Sequence, residues 1–123
     1  MHIAFIIVSV LLGLEMAITG APKVVQLSAV RASAEHLGVS VALDRSIGVA
    51  QMASAAGLLL GIAFPALSIM TAAAVCLLMG GAISYHVKAK DNVMAMVPAI
   101  LTAALGIALV VLAASPPAAL PNP

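Results

Sequence analysis

The residues able to do chemistry are few, and most of them stand apart. Glu15 is a carboxylate inside a long apolar run, and Gln51 is an amide inside another. Tyr85 and His86 bring a hydroxyl and an imidazole side by side, with Lys88, Lys90 and Asp91 just beyond them. An acid, an amide, a phenol and an imidazole at one depth could bind a proton or the polar end of a small molecule. A metal centre would need more ligands at closer spacing: His86 and Asp91 are five positions apart, and His2 and His36 are remote, so no metal is expected. The lone Cys76 allows neither an intrachain disulfide nor a CxxC pair, and its apolar surroundings suit packing better than a reactive thiolate. No phosphate-binding loop, dinucleotide fingerprint, nucleophile elbow or zinc-protease motif occurs, and no catalytic residue is assigned.

The elements that must position these groups follow from composition. Of 123 residues, 64% are hydrophobic and 7% charged, with a mean hydropathy of +1.26. That is too little charge to cover a water-facing surface, since ordinary soluble domains are about 25% charged. A soluble enzyme is excluded, and the net charge of +1 gives no basis for nucleic-acid binding. Aromatics are scarce at 2%, and small aliphatic residues and glycine dominate, which suits helices packed closely in lipid.

Charge spacing marks the spans. Residues 46–87 hold 42 positions without a formal charge, about twice the ~20 that cross a bilayer. Gly61 and Pro65 break that stretch in two. In lipid every backbone group must be bonded within its segment, so the chain is expected to be all-α. It forms a transmembrane four-helix bundle with spans at about 3–22, 44–62, 66–87 and 93–114, in one membrane domain over 1–114. Lys23 follows the first apolar run and no basic residue precedes it, the reverse of a signal peptide, so the first run is read as a retained span. Between the first two spans, Val24, Leu27, Val30, Ala34 and Leu37 recur at helical spacing among polar residues, the pattern of a short interfacial helix. The proline-rich end, 115–123, is expected to be disordered.

All five basic residues, Lys23, Arg31, Arg45, Lys88 and Lys90, fall in the two connections on one side. The positive-inside rule then puts both connections in the cytoplasm of a cell (inner) membrane protein and both termini outside. Glu15 lies eight residues from Lys23, roughly 12 Å at 1.5 Å per residue, and Gln51 is similarly far from Arg45. The two can meet at one depth if their faces point together. A buried ionisable group normally faces a cavity, the bundle interior or a partner. With Lys23, Tyr85, His86 and Asp91, Glu15 and Gln51 make up a candidate polar pocket. Ala53, Gly57 and Gly61, and Gly80 with Ser84, repeat every four residues as helix-packing faces, with a homodimer as an alternative use. The methionines are adaptable fillers.

Several pieces, in order, resemble the DoxX-like family of small four-helix membrane proteins. They are Gly20-x-x-Lys23, HLGV from His36 to Val39, Ile47-Gly48, GLLLG from Gly57 to Gly61 followed by Pro65, and LLMGGAISYHVKAKD from Leu77 to Asp91. The resemblance covers about residues 5–112. It implies that Lys23, His86 and Asp91 belong to the family's polar signature. Gln51 departs from a usual Glu, and Glu15 stands where an apolar or aromatic residue is usual, as though the carboxylate had moved between helices. Some members resemble subunits of quinone-linked sulfur oxidoreductases or of oxidative-stress and thiol-homeostasis complexes. The implied role is a non-catalytic accessory subunit docked to another membrane protein. The alternative is a binder or carrier of a quinone, lipid or metabolite, with no intrinsic cofactor.

Overall fold

The computed structural model describes residues 2–115. It is all-helical: α1 runs His2–Val25, α2 Ser28–Leu37, α3 Val41–Leu60, α4 Pro65–Lys88 and α5 Val93–Ala114. The region after Ser115, where a disordered tail is expected, lies outside the described residues.

Local chemistry sets most of the boundaries. The Ser40 hydroxyl accepts from the Leu43 N–H at 3.1 Å and caps α3, which therefore starts three residues before the expected position. Pro65 occupies the first turn of α4, where its missing N–H costs nothing. The Asn92 side chain accepts from Ala95 N–H at 3.1 Å and starts α5. At the end of α2, Gly38 turns left-handed with φ 73°, and Val39 N–H reaches back to the Ala34 carbonyl at 2.8 Å, a Schellman closure.

The four long helices pack in a ring, α1 against α3 and α5, and α4 against α3 and α5, while α2 lies against α1, α3 and α4. Their interior is thin. Phe5, Leu12 and Met16 of α1 meet Ala55 and Leu58 of α3, Ala72 and Val75 of α4, and Leu109 of α5. Large apolar residues instead point outward, with Leu77 79% and Met94 74% exposed. Such a surface suits lipid rather than water. Helices α1, α4 and α5 are long and apolar enough to cross a membrane. Helix α3, of 20 residues, is not among them: Asp44 and Arg45 stand in its first turns, with Gln51 and Ser54 further along.

Candidate functional site: a polar seam and a cavity at one end of the bundle

A close backbone approach of α1 to α3 places the first polar group. A Cβ added to Gly48 would lie 2.7 Å from the Lys23 Cβ and 2.9 Å from the Gly20 carbonyl oxygen, and one added to Gly20 would lie 2.8 Å from the Gln51 Cβ. Only glycine lets α1 and α3 touch backbone to backbone here. The contact brings polar side chains into reach. The Lys23 ammonium donates to Gln51 Oε1 at 2.8 Å, and Gln51 Nε2 donates to the Thr19 hydroxyl at 2.9 Å. One turn on, Gln26 Nε2 donates to the Lys23 carbonyl and to Asp44 Oδ2, each at 2.8 Å, and Arg45 Nε donates to the Val24 carbonyl at 3.2 Å. Gln26, Asp44 and Gln51 are all buried; these bonds replace much of the water they have lost, but Gln26 Oε1 is buried without a partner among the described residues.

Glu15 belongs elsewhere. Its carboxyl group meets the Thr102 hydroxyl of α5, which also lies 2.8 Å from the Pro98 carbonyl oxygen, so the two oxygens share the hydroxyl's single proton. The meeting of Glu15 with Gln51 that a shared depth would allow is not made, and the reason is register. Gly13 faces Ala55 and Leu59 while Gly20 faces Gly48 and Gln51, so Glu15 lies level with Ala55. Gln51 sits about one turn nearer the charged end, opposite Thr19. The two polar groups face different neighbours, which argues against a carboxylate exchanged at matching depth.

Beside the seam, α2, α3 and α4 line a half-open cavity of about 570 Å³. Its wall is mainly apolar, including Val30, Leu37, Ile47 and Leu78, and its polar groups are Lys23, Asp44, Tyr85 and His86 with Ser33. At its edge Asp91 joins three segments. His36 Nε2 of α2 lies 2.7 Å from Asp91 Oδ1, and His86 Nδ1 of α4 lies 2.7 Å from Asp91 Oδ2. The His36 bond, followed by the His86 bond, holds the Asp91 carboxyl below its ordinary value of 3.8, because both stabilise the ionised form. Each imidazole addresses a different carboxylate oxygen rather than a common centre. Among the described residues, no group of three or more His, Cys, Asp or Glu could hold a metal ion. The Lys88 ammonium lies 5.7 Å from the Tyr85 ring centre, a cation–π arrangement.

The six candidate pocket residues thus divide. Lys23, Tyr85 and His86 line the cavity, Asp91 braces its edge, Gln51 adjoins it through Lys23, and Glu15 lies apart. Asp44, Gln26 and His36 were not singled out by the sequence reading. Asp44 stood among the connecting charges, and nothing local marks Gln26 or His36 as turned toward partners 18 and 55 residues away. The candidate packing residues divide too. Gly57 meets Thr71 and Gly61 meets Ser68. Gly80 faces open space, and Ala53 and Ser84 are exposed. Gly20 and Gly48, with Gly106 against Cys76 Sγ, mark the other close contacts.

A chain whose described residues are helical, with an outward apolar surface, membrane-length helices and a mainly apolar cavity holding a few polar groups at its basic end, defines a membrane protein. Its family is the DoxX-like family, whose sequence profile matches residues 7–114, and the chain belongs to it. Comparison with curated proteins and with solved structures finds no match.

Proposed function

We propose that this DoxX-like protein binds an amphipathic small molecule, such as a quinone or lipid, in the cavity between α2, α3 and α4. The carrying observation is the cavity itself. Its volume of about 570 Å³ falls in the ~300–1,000 Å³ range of small-molecule sites, and its apolar wall with a few converging polar groups is the usual composition of one. Lys23, Tyr85 and His86 supply hydrogen-bond donors for the ligand's polar end, and the aliphatic wall takes its body. No bond-making step is assigned, and the protein acts without catalysis of its own.

The proposal includes placement in the cell membrane. Helices α1, α3, α4 and α5 form one four-span domain, and α2 lies along the cytoplasmic surface with both termini outside. Two features support this: all five basic residues lie at the end where the His36–Asp91 bond and the Arg45–Val24 bond gather the connections, and the positive-inside rule assigns that end to the cytoplasm. In this frame the cavity opens near the membrane–water boundary, where an amphiphile resides.

Native mass spectrometry after purification in mild detergent tests the binding reading. The expected result is a bound small molecule that is lost when Ala82, on the cavity wall, is replaced by Trp. An unchanged adduct in Ala82→Trp, or no adduct from wild-type protein, overturns it. A second reading, an accessory subunit of a membrane complex, finds support in the uncovered Gly80 and Ser84 of α4. A protein co-purifying stoichiometrically, and lost in Gly80→Leu, is the result that favours it.

A further inference from the structure

Helix α2 is the least firmly held wall of the cavity. It has ten residues, fewer than the ~12–15 an isolated helix needs to persist in water, so it depends on its contacts. Among its residues only Ala34 is buried. Left-handed backbone stands on both sides of it, Gln26 at φ 54° and Gly38 at φ 73°, so the chain reverses sharply at both ends of the helix. Over the cavity α2 lays Val30, Ser33, Ala34 and Leu37, while the facing walls belong to α3 and α4.

Among the described residues, a single side-chain hydrogen bond ties α2 to the rest of the protein, His36 Nε2 to Asp91 Oδ1 at 2.7 Å. The acceptor of that bond is fixed from the other side. Asp91 Oδ2 meets His86 Nδ1 at 2.7 Å, and the Asp91 N–H bonds the His86 carbonyl at 3.0 Å. One side of the contact is therefore rigid and the other rides on a short helix between two reversals.

We propose that α2 is a hinged lid over part of the cavity and that the His36–Asp91 contact is its latch, so that breaking this one bond widens the mouth through which the bound molecule exchanges. The proposal rests on the cavity being a binding site, but the motion can be measured without a ligand. A single cysteine at Ala34, in a Cys76→Ala background, reports each opening by its rate of alkylation with a water-soluble maleimide. Labelling is expected to be slow in that parent protein and at least tenfold faster with either His36→Ala or Asp91→Asn. His36→Arg, which keeps a donor for Asp91, should restore slow labelling. Native Cys76, set in the α4–α5 contact, should label at an unchanged rate when the same latch changes are made with Ala34 intact. Equal labelling at position 34 with and without the latch, no rescue by His36→Arg, or acceleration accompanied by faster Cys76 labelling overturns the lid. A lid that opens on cue in a protein carrying no small molecule overturns the binding reading alone, and a bound molecule beneath an unresponsive α2 overturns the lid alone.

Discussion

Two helix pairs carry the most extensive packing in this protein, α1 with α3 and α4 with α5, and they are built differently. The α1–α3 seam crosses on Gly20 and Gly48 with backbone against backbone, and then closes with Lys23, Gln51, Thr19, Gln26 and Asp44. The α4–α5 seam admits Gly106 against a single sulfur, Cys76 Sγ, whose thiol reaches toward the Ala103 carbonyl at 3.7 Å. One seam depends on buried polar bonds between its helices, whereas the other depends on shape. Buried polar bonds penalise every wrong register, because a slip strands each donor at once. An apolar seam tolerates a small slide.

The sharpest way to break this contrast is Gly48→Val. Its Cβ would collide with the Lys23 Cβ and the Gly20 carbonyl oxygen, and backbone cannot swing aside. The expected loss is about 3 kcal/mol or more of stability, seen as a large drop in the thermal midpoint in one detergent. Gln51→Leu comes next. It keeps the volume but leaves Lys23 and Thr19 without their acceptor and donor, at a cost of about 1–3 kcal/mol. Gln51→Glu, which offers Lys23 a charged acceptor, should lose less. Gly106→Ala tests the second seam: the added methyl would press on Cys76 Sγ at 2.8 Å, while the Ala72 carbonyl oxygen at 3.5 Å is at ordinary contact, so about 1 kcal/mol is expected. That cost should shrink in the Cys76→Ala background, and the double-mutant cycle reads the coupling directly.

Acid separates both seams from the connection outside them. The Asp91 carboxyl is held below 3.8 by its two histidine bonds. Its contribution is therefore fully present above about pH 4 and is lost as pH falls through the lowered value. Hydrogen exchange is expected to quicken in α2 on acidification before it does so in α1 and α3. Exchange that quickens in all three helices together would show that the clip and the seams are one unit. The smallest effect is reserved for Gly80→Ala, which meets open space and should stabilise α4 by about 0.5–1 kcal/mol through backbone entropy.

The same contrast explains what could be read from the residues alone. Charge gaps and Pro65 located the long helices because lipid length and proline sterics act locally. The expected 93–114 coincides with α5, and the short helix over 28–37 lies within the amphipathic stretch. Lys23, Tyr85 and His86 were legible as one group because the same sterics send their segments to the same end. The partners of Glu15 and His36 were not. Thr102 is 87 residues from Glu15 and Asp91 is 55 from His36, and such pairings depend on crossing register. Between α1 and α3 that register is set by Gly20 and Gly48, which the family pieces mark but whose meeting with each other no local feature of the sequence shows. The small-residue repeat at Gly80 and Ser84 has equal spacing and no neighbour, which shows that the pattern permits close approach without requiring it.

Helix α3 has a consequence for how the protein is made. Three helices are long and apolar enough to cross a membrane, and α3 is not among them; its Gln51 and Asp44 are bonded by Lys23 and Gln26, residues synthesised earlier. In the four-span reading, α3 leaves the insertion machinery as half of a hairpin with α1 already waiting for it. Biogenesis then has an order, in which the N-terminal pair forms the template and the C-terminal pair closes upon it.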